Sequence, residues 1–226
     1  MPVSAFSDAD REVVYRLMSV RRDIRHFSDS PLPGDVLQRM LSAAHQAPSV
    51  GFMQPWNFIL ISSMEIRRQI KESFERVNLA EAEKIAEPDR RELYRSLKLE
   101  GILDAPLNVA VTCDRRRSGP FVLGRAPAPE TDVFSTCLAI QNLWLSARAE
   151  GVGVGWVSIL DQPAVEKILE LPEQVRLVAY LCVGYPTEFR PRPLLEEVGW
   201  RSRLDLRSLV YEEKWGRAAS LFDANY

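Results

Sequence analysis

The sequence predicts an α+β fold in which helices wrap a central mixed sheet of about four to five strands. Three observations carry that prediction. Apolar runs of strand length stand at 57–61, 107–113, 151–160 and 176–183. Segments whose apolar residues recur at helical spacing separate these runs. A 226-residue chain with 46% hydrophobic and 27% charged residues has the balance of a globular protein, and it is long enough to bury a core in a single domain.

Ser7 is placed to cap a first helix running to about Val20, with Asp8 and Asp10 in the turn where the helix dipole favours acids. Val13, Val14, Leu17 and Met18 share one face of it. A second helix begins near Asp35 and turns Val36, Leu37, Met40, Leu41 and Ala44 inward. Ser63 caps a third helix after the first strand. Residues 64–104 are rich in Glu, Lys and Arg and poor in long apolar residues, which predicts exposed helices broken near Pro88. Such an excursion is a solvated face or the material of a lid. At its end Lys98 and Glu100 could approach a ligand, but read first as solvated surface. The Gly/Pro/Arg segment 115–129 is long for a connection in a compact domain, a property of functional or mobile loops. Residues 131–149 are apolar around most of a helix, which predicts central burial or a subunit interface. A short helix at 163–169 links the last two strands, and 205–226 forms a C-terminal arm.

Composition also excludes. A formal net charge of −2 argues against general nucleic-acid binding, and no apolar run is long enough to cross a bilayer. Cys113, Cys137 and Cys182 are odd in number and set in apolar surroundings, so they read as buried free thiols of a reducing compartment. With Pro2, Asp8 and Asp10 near the start there is no signal-like stretch, and the expected location is the cytoplasm. His26 and His45 lack the carboxylate or histidine spacing of a metal site, so no metal is expected.

Three stretches carry candidate chemistry. Residues 47–56, Ala-Pro-Ser-Val-Gly-Phe-Met-Gln-Pro-Trp, form a Pro-stiffened turn between helix and strand. Such a turn is either an ordinary connection or a loop whose fixed backbone groups recognise a ligand. Arg21, Arg22 and Arg25 either neutralise the end of the first helix, an effect of about 0.3–1 kcal/mol per charge, or form a guanidinium fork for a phosphate. Gly151, Gly153 and Gly155 do not have the spacing of a dinucleotide fingerprint, and a strand follows where that motif needs a helix. They would let backbone pass close to a flat ligand.

In these stretches the chain resembles the FMN-dependent nitroreductase superfamily. Arg21-Arg22-Asp23-Ile24-Arg25 is similar to its phosphate-gripping motif, and 47–56 to its flavin-contacting loop. Two positions depart: Asp23 stands where most members have Ser, and Phe52 where they have Asn. Taken with Gly155-Trp156-Val157-Ser158, 96–101 and 111–115, these departures resemble the branch that makes 5,6-dimethylbenzimidazole, the lower ligand of vitamin B12. The resemblance implies a nitroreductase-like fold in which reduced FMN is a substrate consumed with O2, leaving dimethylbenzimidazole and erythrose 4-phosphate. Its electrons would come from NAD(P)H through a separate flavin reductase. Beside three arginines Asp23 reads as a structural ion pair or, in a dry pocket, as a proton acceptor; the resemblance implies that it is the acid/base group and that Ser158 is a hydrogen-bonding partner of the flavin. Arg21, Arg22, Arg25 and Arg203 would hold the phosphate, while Pro48, Ser49, Gln54, Gly155 and Trp156 line the ring. Phe52 would make that pocket more apolar. A homodimer with shared flavin sites is implied, with helix 131–149 and the arm's Trp215 and Phe222 as interface material. The rival expectations are an NAD(P)H-dependent nitroreductase or flavin reductase, and a non-catalytic FMN-binding protein.

Overall fold

A computed structural model describes residues 5–222. They fall into two compact units divided between Phe189 and Arg190, ahead of the arm expected from 205. The first unit holds strands β1 (Trp56–Ile61), β2 (Leu107–Asp114), β3 (Gly153–Val157) and β4 (Val175–Gly184) in one sheet ordered β1-β2-β4-β3. Its helices are α1 (Asp8–Val20), α2 (Gly34–His45), α3 (Met64–Glu83), α4 (Pro88–Ser96), α5 (Thr131–Ala149) and α6 (Gln162–Ile168). The second unit carries the short helix α7 (Leu194–Glu197). Ser7 and Ser63 cap α1 and α3 through their side chains, as expected.

The sheet is α+β in setting but antiparallel in every strand pair, not mixed. Connection lengths explain the difference. Seven-residue α6 rises only about 10 Å, too little to carry the chain back along ten-residue β4, so β3 and β4 meet head to tail. After β1, α4 folds back on α3, with Tyr94 donating to Asn78 Oδ1 at 2.7 Å. By Ile102 the chain has returned beside Arg67 in the first turn of α3. The sheet's one parallel contact among the described residues is an isolated bridge between Asp23 and Val154.

Alternation along β4 divides the core. Tyr180 and Cys182 face Ile70 and Phe74 of α3 and Val165 of α6, whereas Ala179, Leu181 and Val183 face Met40 and Ala44 of α2 and Ile140, Leu143 and Ala147 of α5. Two expectations change here. Helix α3 is core rather than excursion, because Ile70 and Phe74 are buried in its first half and Ala82 near its end; α4 buries no residue. Glu100 is also buried rather than solvated, accepting from Lys71 at 2.6 Å and from the Ile102 N–H at 2.6 Å. Its charge partner lies 29 residues away, outside any local pattern. Helix α1 buries no residue and exposes Val13, Val14 and Met18. Helix α5 buries one face and leaves Phe134 and Leu138 outside.

Arg67 is 4% exposed and donates to the carbonyl of Ile102 at 2.8 and 2.6 Å and to that of Ala105. Asn108 also donates to Ile102 O, at 2.8 Å. Arg67→Met should therefore leave mainly the Ala105 carbonyl without a donor, costing about 1–3 kcal/mol in denaturant unfolding.

Cys113, Cys137 and Cys182 are free thiols. Burial pushes Cys113 up to about 11 and Cys182 up to about 12, and raises Cys137 as well. Since the thiolate is the reactive form, a thiol reagent at about pH 8 should modify half-buried Cys137 first. Cys113 and Cys182 should react only on unfolding, as peptide mapping of the labelled protein would read.

Among the described residues no helix is long and apolar enough to cross a membrane, and no cluster of His, Cys, Asp or Glu could hold a metal ion.

Candidate functional site

The chain leaves α1 through Arg21 and runs alongside β3. Ile24 N–H donates to Val154 O at 3.0 Å, and Trp156 N–H donates to Asp23 Oδ1 at 2.9 Å. Arg25 turns back on the same carboxylate, donating to Oδ1 at 2.8 Å and pairing with Oδ2, while its Nη2 also donates to Trp156 O at 3.0 Å. Asp23 is thereby tied to Trp156 from two directions.

The alternating glycines make this approach possible. A Cβ at Gly153 would stand 2.8 Å from Ile24 Cγ1. One at Gly155 would land on the Ile24 carbonyl oxygen, with Arg25 Nη1 2.7 Å away. The close passage that Gly153 and Gly155 permit is that of the Asp23 segment.

Loss of water around the Asp23 carboxyl raises it above the ordinary 3.8. Arg25, the Trp156 N–H and more distantly Arg21 pull the other way, and burial prevails. The side chain still has 42% of its surface open, so one flank of the carboxyl can be reached. A carboxyl that is hydrogen-bonded, water-poor and yet reachable is suited to moving a proton. Ser158 lies exposed just past the end of β3, on the same edge of the sheet.

Behind Asp23, Trp144 of α5 organises the arginines. Its indole donates to Arg22 O at 3.2 Å, and the Arg21 guanidinium lies 4.7 Å over its ring. Arg148, one turn further on, donates to Val20 O at 3.4 Å, and burial together with Arg22 lowers its pKa. Arg21, Arg22 and Arg148 thus form a basic group with the donor chemistry a phosphate requires. Arg22 also donates to the carbonyls of Ser19 and Arg21, each at 2.7 Å, and Arg25 is engaged with Asp23 and Trp156. Arg203 is an exposed residue of the second unit.

The 47–56 loop is the second locus. Gly51, Phe52 and Gln54 have φ of 52°, 54° and 49°, a left-handed conformation that costs about 1–3 kcal/mol for each non-glycine. Several bonds enforce it. Ser49 Oγ accepts from Gln54 N–H at 2.9 Å, and Ser135 Oγ of α5 accepts from Val50 N–H at 3.0 Å. Arg117 donates to Gln54 O at 2.7 Å and Trp56 O at 2.9 Å, and also to Asn57 Oδ1. A cleft of about 470 Å³ beside the loop is lined by His45, Phe52, Gln54, Trp56 and Arg117 among others. His45 Nδ1 accepts from the Trp56 indole at 3.2 Å, so this histidine is a satisfied structural group. Pro48 and Phe52 are exposed, the latter by 82%.

The 115–129 segment, which had no role in the sequence reading, covers this loop. A Cβ on Gly51 would stand 2.7 Å from Val122 Cγ1 and 2.9 Å from Leu123 N. Asp132, fully buried at the start of α5, anchors the segment. It accepts from Arg115 at 3.3 Å, pairs with Arg125 at 3.7 Å and caps Val133 N–H at 2.7 Å. Arg117, Asp132, Trp144 and Arg148 were not singled out from sequence. The density of arginine in 115–129 was the available signal for Arg117.

The expected site residues therefore gather at two places. Asp23, Arg25, Gly155, Trp156 and Ser158 lie at the β3 edge of the sheet, and Pro48, Ser49 and Gln54 lead into β1 at the other edge. Trp156 shares a row with Leu60 through Leu181 and Val109. Trp56 is thus three strands away and four residues along, roughly 20 Å at ordinary strand spacings.

Residues 18–185 match the family model described as the nitroreductase family. The chain is 43% identical over 198 residues to the 5,6-dimethylbenzimidazole synthase of Rhodospirillum rubrum, covering 88% of this chain and 93% of that one. It is 39% identical over 199 residues to the enzyme of the same name from Rhodobacter capsulatus, covering 88% and 96%. Among solved structures it is similar to oxidised iodotyrosine deiodinase bound to FMN and 3-iodo-L-tyrosine. The TM-score is 0.66 and the identity 26%, over 79% of this chain and 92% of the other. By fold, by motif and by relatives, the chain is an enzyme of the nitroreductase family.

Proposed function

We propose that this enzyme converts reduced FMN and O2 into 5,6-dimethylbenzimidazole and erythrose 4-phosphate, with the pyrimidine part of the flavin ring leaving as a separate oxidised fragment. The observation that carries the proposal is Asp23, a carboxyl fastened to the Trp156 N–H and Arg25, whose pKa is raised by loss of water. The printed names of the Rhodospirillum and Rhodobacter relatives support the same reading. The flavin is the substrate, and it supplies both the reducing equivalents and the ring system of the product.

The chain's own residues have separable tasks. Arg21 and Arg22 bind the phosphate, with Arg148 reinforcing the local positive field. Arg25 holds Asp23 in place. Asp23 takes up and returns protons through the exposed flank of its carboxyl during fragmentation. Ser158 offers a hydroxyl beside it. The 47–56 loop orients the ring through Ser49, Gln54 and its fixed backbone groups, and Phe52 excludes water from the reacting face. Reduced FMN arrives from a separate NAD(P)H-dependent reductase, and α4 forms the lid over it.

Two copies of the chain build each site. Asp23 and the flavin loop lie at opposite edges of one sheet, much further apart than a single tricyclic ring extends. A partner copy that brings its loop to this chain's Asp23 completes the site. The exposed apolar residues of α1 and α5, including Val14, Met18, Phe134 and Leu138, supply matching surface.

A single-turnover mixture of the protein with chemically reduced FMN in aerated buffer tests the reaction. Stoichiometric loss of flavin with formation of dimethylbenzimidazole is the expected result. Recovery of all the flavin as oxidised FMN would overturn the proposal and favour a reductase that recycles its flavin.

A further inference from the structure

We infer that Arg117 is a positioning residue for flavin recognition: it locks the 47–56 loop into its left-handed conformation before any ligand arrives. The inference rests on the reading of that loop as the flavin-contacting element. Its own support is geometric. Three of the four residues from Gly51 to Gln54 hold positive φ, a conformation that a free loop would leave.

A single guanidinium grips the far end of that turn. Nη1 bridges the carbonyls of Gln54 and Trp56 at 2.7 and 2.9 Å, and Nη2 reaches the Asn57 side chain, which is itself tied to Thr112 Oγ1 at 3.1 Å. Those contacts join the strained turn to β1 and, through Thr112, to β2. The planar fork is essential to this arrangement, because two carbonyls and an amide oxygen must be met from fixed directions.

Arg117 is held in turn. Its segment begins at Arg115 and returns at Arg125, and both converge on fully buried Asp132. Arg125 also donates to Arg115 O at 2.6 Å, closing the segment on itself. Val122 and Leu123 lie so near Gly51 that the turn has no room to flip outward while the segment stays seated. A buried carboxylate thus fixes a loop, the loop presents one arginine, and that arginine fixes the recognition turn.

Hydrogen exchange and flavin titration on Arg117→Gln and Arg117→Lys test the inference in the full-length protein. Without ligand, the amides of residues 51–54 should exchange faster in both variants, while the exchange of β2 and β4 stays as in the parent. Oxidised FMN should bind about tenfold more weakly, as expected if the competent loop is populated only about one-tenth of the time. The visible circular dichroism of bound flavin should shift as well. Failure of Lys to rescue separates fork geometry from charge. Unchanged exchange at 51–54 in both variants would overturn the inference. A parent protein that takes up no FMN would overturn the flavin reading instead, and the exchange comparison would then decide the clamp by itself.

Discussion

Asp23→Asn is expected to lower dimethylbenzimidazole formation by about 10²–10⁴-fold, the range that a positioned acid/base group supplies. FMN binding should be largely retained. The amide is close in size to the carboxyl, and its oxygen can still accept from the Trp156 N–H that now meets Asp23 Oδ1 at 2.9 Å. Arg25 keeps its contact with Trp156 O at 3.0 Å, so the segment remains seated. The measurement is single-turnover product formation beside a flavin titration. Wild-type-like turnover in the variant would remove Asp23 from the chemistry.

The pH dependence follows from the same group. As a proton acceptor Asp23 must be ionised, so the acidic limb of the wild-type rate profile should lie above the ordinary 3.8 and vanish in the variant. For stability the sign is also definite. A folded-state pKa raised above the unfolded value means that the native protein binds the proton more tightly. The contribution of Asp23 to stability is therefore most favourable below 3.8. It declines as pH rises through the folded-state pKa and is level above it. The stability of the parent relative to Asp23→Asn should trace that curve in denaturant unfolding.

Gly155→Ala is the second large effect. Its Cβ would coincide with the Ile24 carbonyl oxygen, and backbone cannot rotate away as a side chain can. The Asp23 segment must shift off β3, breaking the Ile24–Val154 and Trp156–Asp23 hydrogen bonds together. A loss of about 3 kcal/mol is expected, at the upper end for overpacking. Activity should fall with it even below the melting transition, because the Asp23 carboxyl has moved. Gly34→Ala is the matched control. No atom lies within 4 Å of its added Cβ, and at the start of α2 the substitution should be stabilising by about 0.4–1 kcal/mol.

What could be read from sequence was whatever depends on near neighbours. The caps at Ser7 and Ser63, the apolar strand runs and the apolar stretch 131–149 each report local backbone preference and burial. Arg21 to Arg25 and 47–56 stood out because their residues are contiguous. What escaped depends on partners distant in the chain. Glu100 was assigned to solvent because Lys71 was not visible beside it. Arg117 passed unremarked because its carbonyl partners lie some sixty residues earlier.

By itself, the sequence determined the α+β class, the places of the strands, the family motifs and the presence of Asp23 where a hydroxyl is usual. Periodicity and residue chemistry are local properties, so one chain read end to end suffices for them. Only the tertiary structure decided that the sheet is antiparallel, that Gly153 and Gly155 admit the Asp23 segment, and that Asp23 and the 47–56 loop occupy opposite edges. Each of those outcomes is a pairing across the sheet. Pairing is chosen by connection length and close packing among residues far apart in the chain, information that no single stretch contains.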